Sequence, residues 1–222
     1  MKTRIEKRVK SLVKEADVRW NFYKRDEKVL VGVSGSKESL ALLQLLSKFE
    51  LQITAIFVNP SQERNSLLEN WCRNYGDYVE VDFQISKVNM HSQNFRNICE
   101  RQERRIILDY AQKNGISTIV CSQYREKIVE NLLKSMFFDH KFSSYSPVEE
   151  LYGGKYRIVR PFYLVSQELI ESFVLKDDFE PLKRVCDRDS NEQLIEMREL
   201  IMALQNRHSD INFNDNLLTC LL

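Results

Sequence analysis

The sequence contains no long hydrophobic run. None of its apolar stretches approaches the roughly 20 residues that a membrane-spanning helix needs. The amino-terminal segment is also too highly charged to resemble a secretory signal. These two absences exclude an integral membrane protein and a secreted one, and we expect a cytoplasmic location without membrane contact.

Cysteine and histidine are scarce and widely spaced. The cysteines are odd in number and include no CxxC pair, which excludes a disulfide framework. The three histidines are far apart, which argues against a classical zinc site. We therefore predict no metal site built from protein ligands. The five cysteines are Cys72, Cys99, Cys121, Cys186 and Cys220.

No excess of charge of either sign is present, because 33 basic residues oppose 32 acidic ones. The distribution is uneven, however, since basic residues outnumber acidic ones in the first 25 positions. Such an arm is typical either of a contact with a polyanion or of the solvated face of an ordinary helix, and both interpretations stay open. Its cations are Lys2, Arg4, Lys7, Arg8, Lys10, Lys14, Arg19, Lys24 and Arg25.

Strand and helix patterns alternate through the first two thirds of the chain. Apolar runs such as "KVLVGVS" are typical of central parallel strands, and helical spacing follows them. The alternation predicts an α/β fold with an open parallel sheet of about five strands and helices on both faces, the last strand being edge-like. We expect a basic amino-terminal helix over 1–26, a nucleotide-binding domain over 27–175 and a helical tail over 176–222.

The first strand-to-helix turn is a candidate anion site. It follows "VLVG", and its backbone N–H groups would lie at a helix amino terminus, which favours phosphate. It is neither a Walker A loop nor a dinucleotide fingerprint, because the required glycine spacing is absent. Serine and glycine also serve as plain helix caps. The candidate residues are Val33, Ser34, Gly35, Ser36, Lys37, Glu38 and Ser39, with Lys37 supplying a positive charge.

Several stretches, taken in order, resemble one family. "SGSKES" looks like the Ser-Gly-Gly-Lys-Asp-Ser loop of the PP-loop ATP pyrophosphatases, which have a Rossmann-like, adenine nucleotide alpha hydrolase-like fold. Within that superfamily the chain most resembles the TtcA-type tRNA 2-thiocytidine synthetases. The matching stretches are "AIFVNP", "RRIILDYAQKNGISTIV", "CSQYREKIVENLLKSMFF", "SYSP", "IVRPF" and "VCDRDSNEQ".

The resemblance implies an ATP- and Mg²⁺-dependent enzyme that adenylates a tRNA base through the PP-loop before sulfur transfer. It implies that Val58 and Asn59 contact adenine and that Arg125 lies beside the nucleotide. It also implies a homodimer, while the sulfur donor is not identified. Two alternatives stay open: a degenerate relative that binds nucleotide or RNA without thiolating, and an adenylating enzyme with another acceptor.

The residues that differ from the family pattern lie in the motifs that carry the family's chemistry. Ser36 replaces a glycine, and a left-handed serine there would cost about 1–2 kcal/mol; Glu38 replaces an aspartate. Neither change excludes ATP. The family's Gly-His-His-Arg-Asp-Asp becomes "SQYREK", so that only Arg125 is kept, with Gln123 and Lys127 among the changes. Arg125 and Glu126 fit equally well as a solvated first helical turn.

One cysteine remains in each of the two family cysteine motifs. Cys99 and Cys186 stay, whereas Arg96 and Asp189 stand at other motif positions. Iron–sulfur clusters normally need three or four thiolates, so we predict that a 4Fe–4S cluster is absent. Cys99 and Cys186 are candidate catalytic thiols for a persulfide relay, or else inert buried residues. Cys72 and Cys121 are expected in the core.

A second basic patch and several aromatic residues are candidate tRNA contacts. Arginine side chains can follow an RNA backbone, and aromatic rings can stack on an extruded base. At least one of Phe137 and Phe138 is expected in the core instead. The patch comprises Arg96, Arg101, Arg104 and Arg105, and the aromatic candidates are Tyr124, Phe137, Phe138 and Tyr145.

Overall fold

A six-stranded sheet organises the computed structural model, which describes residues 2–59, 65–83, 93–174 and 192–222. The strand order is β3-β2-β1-β4-β6-β5, and all neighbours are parallel except β5 and β6. The predicted open α/β sheet is therefore confirmed. The strands are β1 Glu27–Gly32, β2 Leu51–Asn59, β3 Asp77–Asp82, β4 Thr118–Val120, β5 Val148–Leu151 and β6 Tyr156–Val159.

Helices connect the strands and cover both faces of the sheet. Val29 and Val31 of β1 face one core, while Leu30 between them faces a second core that contains Ile107 and Ala111. The helices are α1 Lys2–Trp20, α2 Lys37–Leu46, α3 Ser66–Arg73, α4 Gln93–Lys113, α5 Arg125–Phe138, the 3-10 turn Pro161–Leu164, α6 Gln167–Val174, α7 Glu192–Arg207 and α8 Phe213–Thr219. In α4, side chains are described from Glu100 onward.

The basic first helix packs on the same core as the sheet. Val9, Val13 and Ala16 of α1 are fully buried, and the helix contacts α6 and the 3-10 turn. It ends at Trp20, earlier than the pattern predicts, because Asn21 adopts a positive φ of 51° and the Asp17 carboxylate accepts hydrogen bonds from the next two backbone amides. In the part of the chain that the structure describes, no helix is long and apolar enough to cross a membrane.

The strand near the sheet edge differs from the prediction. Tyr156–Val159 is flanked on both sides, and the edge is formed by the antiparallel strand β5. Two glycines with positive φ, Gly153 and Gly154, make the tight connection between these strands. The sheet order reverses between β1 and β4, which places the topological switch point beside the candidate anion loop.

Candidate functional site

The loop after β1 is held in shape by three serine hydroxyl groups. Ser34 Oγ lies 3.0 Å from Ser36 Oγ and 3.3 Å from Ser39 Oγ, while the Ser34 amide donates to Ser39 Oγ at 3.2 Å. Ser39 is fully buried, so its side chain supports the loop from inside. The candidate loop residues are therefore brought together as a rigid turn at the amino end of α2.

Backbone strain in this loop falls on glycine. Gly35 adopts a φ of 74°, which suits a residue without a Cβ. Ser36 has an extended conformation with φ −78° and ψ 156°, and its hydroxyl accepts from the Ser39 amide as the helix cap. The left-handed strain considered for Ser36 does not arise, so serine fits this position.

The first turn of α2 presents the groups that an anion requires. The first N–H groups of a helix have no acceptor within the helix, and the helix dipole makes this end positive. Lys37 is exposed at the first helical position, and Glu38 follows it. A phosphate chain could therefore lie across this helix end, with the Lys37 ammonium within the same turn.

Val58 and Asn59 end β2, beside the loop. The Val33 amide donates to the Ile56 carbonyl at 2.9 Å, which ties the loop to this strand. Asn59 is almost fully buried, and its side-chain amide donates to Glu80 on β3. Val58 and Asn59 are both buried, and neither lines the cavity described below, so the predicted contact with adenine stays a prediction.

A cavity of about 410 Å³ lies on the other side of the loop, where β1 and β4 end. Its wall combines the start of the loop with the residues after β4 and one side of α4. Arg101 and Arg104 of the basic patch lie in this wall, while Arg105 is exposed and lies 3.8 Å from the Asp109 carboxylate. Other lining residues are Gly32, Val33, Ser34, Cys121, Ser122, Gln123, Tyr145 and Arg160.

Two arginines share one carboxylate beside this cavity. Arg160 is only 3% exposed and donates to the Ser146 carbonyl at 2.7 Å and to Glu149 at 3.1 Å. Arg104 donates to the other oxygen of Glu149. Partial burial would raise the pKa of Glu149, but the hydrogen bonds and charges of the two arginines lower it below its usual value. The three side chains thereby fix α4 against β5.

Cys121 packs against the core cluster that contains Leu30 and Ile119, as predicted, but it also lines the cavity, which the prediction did not include. Its side chain is partly exposed and lies near Arg160 and Arg104. Burial raises the pKa of the thiol above its ordinary value, and the two arginines oppose that shift only in part. The thiol is therefore mainly protonated at neutral pH. Cys72 is fully buried on α3, as expected.

Arg125 and Glu126 carry structural ion pairs. Arg125 donates to Glu126 and also pairs with Asp215 of α8, and its side chain is 17% exposed. Glu126 accepts from the Gln167 amide at 2.9 Å, which caps α6. Both side chains are therefore engaged within the fold, and the first turn of α5 is not the solvated one considered from the sequence. Arg125 is absent from the wall of the cavity, so the structure does not bring it together with the loop there.

The aromatic candidates separate into different environments. Tyr124 is buried in the core, whereas Tyr145 lies in the cavity wall, where its ring is 5.1 Å from the Arg160 guanidinium. Burial raises the pKa of Tyr145 to about 12, so the hydroxyl stays protonated. Phe137 and Phe138 are exposed, contrary to the expectation that one of them is a core residue.

The structure describes the candidate cysteines only in part. Cys99 lies on α4, one residue before the cavity-lining Glu100, but its side chain and that of Arg96 lie outside the described residues, as do Cys186 and Asp189 entirely. Within the described ranges no group of three metal-ligating side chains occurs. Sequence reasoning missed Ser122 and Arg160 as parts of the wall. It also missed Glu149, the partner of Arg104 and Arg160 beside the wall, because no local pattern relates the β5–β6 hairpin to α4.

Comparison with known proteins gives one family. A family model described as a PP-loop domain matches residues 1–200. A tRNA-cytidine(32) 2-sulfurtransferase of Polynucleobacter necessarius is 26% identical over 219 residues, covering 92% of this chain and 72% of the relative. A protein of the same name from a Marinomonas species is 24% identical, covering 89% and 76%.

Solved structures agree on the fold. The U34-tRNA thiolase NcsA of Methanococcus maripaludis, determined with its [4Fe-4S] cluster, superposes with a TM-score of 0.74 over 99% of this chain and 80% of that one, at 16% identity. The NMN synthetase of Francisella tularensis gives a TM-score of 0.53 at 12% identity, covering 87% and 77%. At such identities the likeness concerns the fold alone.

Proposed function

This chain belongs to the PP-loop domain family, and from that premise we propose that it is an ATP-dependent enzyme that adenylates a base of tRNA and then replaces oxygen by sulfur. The curated relatives named as tRNA-cytidine 2-sulfurtransferases support this proposal, because they align along most of the chain. The observation that carries it is that the candidate anion loop and an adjoining cavity lie together at the switch point of the sheet.

The loop and the cavity divide the substrates between them. The amino end of α2 and Lys37 would hold the phosphates of ATP, and the ends of β1 and β2 would hold its adenine near Val58 and Asn59. The cavity would hold the acceptor base, so that its oxygen attacks the α-phosphate and pyrophosphate leaves. Sulfur would then attack the activated carbon and release AMP. Mg²⁺ would accompany the phosphates, and the Glu38 carboxylate is an oxygen ligand of the kind that this ion prefers.

Sulfur delivery is proposed to proceed without a 4Fe–4S cluster. The sequence supplies Cys99 and Cys186 but has Arg96 and Asp189 at other motif positions, a donor set that does not fit a cluster held by three thiolates. We propose instead that an external sulfane-sulfur donor converts Cys99 to a persulfide, whose outer sulfur attacks the activated carbon and displaces AMP. Cys186 then attacks the Cys99 sulfur, so that the S–S bond to the thiolated base breaks, a Cys99–Cys186 disulfide forms, and an external thiol reductant restores both cysteines. Purification without oxygen followed by iron and acid-labile sulfide assays tests this; near-stoichiometric amounts of both would contradict it.

The RNA is proposed to contact two basic surfaces. The outward face of α1 exposes Arg4, Lys7, Arg8 and Lys14, while Arg101 and Arg104 border the cavity and Arg105 lies beside them. Arg96 is proposed to belong to the second surface. A homodimer is proposed from the family resemblance, and the divisions at residues 26 and 175 stay predictions.

A non-thiolating relative is the second candidate function. Two observations favour it: Arg125 and Glu126, at the position of a family motif, are engaged in ion pairs within the fold, and Gln123 and Lys127 replace other members of that motif. Such a protein would bind ATP or RNA without releasing a thiolated base.

Pyrophosphate exchange and nucleoside analysis test the proposal. We expect ATP–pyrophosphate exchange that depends on added tRNA, and loss of a thiolated nucleoside from the tRNA of cells without this gene.

Lys37→Ala should weaken ATP binding by about tenfold to a hundredfold in calorimetry, because a charged hydrogen bond is lost. The matched control Lys113→Ala, on an exposed position of α4, should leave it unchanged. Exchange without tRNA would indicate another acceptor, and absence of ATP binding would refute the proposal.

A further inference from the structure

Three aromatic rings near the end of α5 face solvent. Phe137 is 59% exposed, Phe142 is 64% exposed and Phe138 is 37% exposed. We call these three residues the aromatic patch. Isolated apolar residues on a surface are common, but three phenylalanines within six positions are a large exposed apolar feature of the kind that marks an interaction site.

The backbone on both sides of Phe142 is fixed by hydrogen bonds. The amides of Asp139 and Lys141 both donate to the Ser135 carbonyl, and His140 between them has a φ of 54°. After Phe142, Ser143 Oγ lies 2.9 Å from Ser135 Oγ, and Ser144 donates to the Ile128 carbonyl. These contacts fix the backbone at Phe142, so the fold itself places this exposed ring on the surface.

One ring of the patch, Phe142, lies near the proposed acceptor cavity. Phe142 precedes Tyr145 by three positions, and three residues of extended chain span at most about 10 Å. Tyr145 itself lines the cavity. A nucleotide next to one whose base enters the cavity is therefore within reach of the Phe142 ring.

We propose that the aromatic patch stacks on unpaired bases of a single-stranded RNA loop, next to the base that enters the cavity. Aromatic rings combined with cations are the usual platform for single-stranded nucleic acid, because every base has a flat face. Lys134 pairs with Asp139, so Lys141 leaves the local charge positive, which suits a phosphate backbone. The inference rests on the proposed function, since it identifies how an RNA substrate of that site is held.

Binding of two RNA probes tests the patch. One probe is a hairpin with an unpaired loop, and the other is a blunt duplex of equal length, so that the phosphate charge is matched. We expect Phe142→Ala and Phe137→Ala each to weaken hairpin binding by about fivefold to a hundredfold, with little effect on the duplex. Phe142→Tyr keeps a ring and should keep the affinity. Because no charge changes, the salt dependence of binding should be that of the wild type.

Controls separate this inference from its premise. Tyr152→Ala removes another exposed aromatic ring, on the β5–β6 turn, and should bind both probes normally. If wild-type protein binds neither probe nor tRNA, the proposed function fails as well. If wild-type protein binds the hairpin and the alanine variants bind it equally well, only the stacking inference is overturned. Sedimentation that shows a dimer dissociated by Phe137→Ala with hairpin affinity unchanged would assign the patch to a contact between copies.

Discussion

Single residues show where the family pattern transfers and where it does not. The resemblance identifies the loop from Val33 to Ser39, but only the backbone angles show that Gly35, and not Ser36, carries the positive φ. A sequence pattern cannot report this, because serine is both a tolerated substitute and a preferred helix cap. The Ser36 hydroxyl thus takes over a capping interaction that glycine could not make.

Cys121 is a residue whose surroundings the sequence predicts only in part, since it packs on the core and also lines the cavity. It follows three buried strand residues, a pattern that predicts a core position. The strand ends at Val120, however, and the next residues open into the cavity. Distinguishing the last strand residue from the first residue of the cavity requires the position of the strand end to within one residue, which hydrophobic patterns do not provide.

Alkylation measures the state of this thiol. Since burial raises its pKa, the reactive thiolate fraction at neutral pH is smaller than for an ordinary cysteine, and the rate should keep rising as pH increases beyond the ordinary cysteine range. We expect iodoacetamide to modify Cys121 more slowly than the exposed Cys220 at neutral pH, as followed by peptide mass spectrometry.

Unfolded protein supplies the reference for that experiment. In denaturant the two thiols should react at similar rates, which attributes any difference in the native protein to its structure. Faster modification of Cys121 than of Cys220 in the native protein at neutral pH would contradict the raised pKa. It would instead indicate that Arg104 and Arg160 outweigh burial and activate the thiol.

At the scale of secondary structure, α5 connects the cavity to the carboxyl-terminal helices. It begins directly after Gln123 and Tyr124, and α7 and α8 both pack on it. Glu130 of α5 is almost fully buried, and Arg198 of α7 donates to both of its oxygens at 2.8 and 3.1 Å. Helical periodicity predicts α5 and α7 well, but it does not predict that this pair joins them.

Arg198→Leu should destabilise the protein by about 2–3 kcal/mol in urea unfolding, because it leaves a buried carboxylate poorly paired. The cost falls below the roughly 3–5 kcal/mol of a fully buried pair, since Lys127 remains 3.7 Å from Glu130. The control Arg207→Leu, at an exposed position of α7, should change stability by less than about 0.5 kcal/mol. The double variant Arg198→Leu with Glu130→Leu should recover much of the loss, whereas equal effects of Arg198→Leu and Arg207→Leu would show that the pair contributes nothing.

The edge strand β5 is an element that the sequence failed to predict. Strand β5 has only four residues, two of them glutamates, so it lacks the β-branched pattern of the central strands. Glu149 is nevertheless the residue that receives both Arg104 and Arg160. Long, strongly periodic elements are predictable from local sequence, whereas this edge strand is specified by partners that lie far away in the chain.

For the whole molecule, the topology was predictable and the surroundings of the cavity were not. The alternating pattern predicts a parallel sheet with a switch point, as observed, and the loop identified by the motif lies beside it. That this loop binds an anion stays a prediction. The cavity wall combines residues from the loop, α4, the end of β4 and the segment that precedes β5. These segments meet only through tertiary packing, so a single sequence identifies members of the wall but not their arrangement.

The basic face of α1 is a proposed contact surface for tRNA that lies apart from the loop and the cavity. Arg4, Lys7 and Arg8 are exposed at helical spacing on the face opposite to Val9 and Val13, which are buried. A small acceptor would be confined to the cavity, whereas tRNA is long enough to contact this helix while one of its bases enters the cavity. Replacing the charges of Arg4, Lys7 and Arg8, which we call the α1 stripe, therefore should weaken binding of a tRNA acceptor and leave binding of a small acceptor unchanged.

Replacing Arg4, Lys7 and Arg8 together by glutamine should weaken tRNA binding and make it less sensitive to salt. Each lost phosphate contact removes about 0.7–0.9 from the slope of log K against log salt concentration, so a decrease of about 2–3 is expected from a titration of affinity at several salt concentrations. The fold should be unaffected because the three side chains are exposed, and ATP affinity should not change because the loop is untouched. A control variant with Lys113 and Lys155 replaced by glutamine removes exposed cations elsewhere and should keep the wild-type slope. An unchanged slope in the α1 variant would show that the stripe is only a solvated helix face, and the basic contact with tRNA would then have to be made by the arginines of α4.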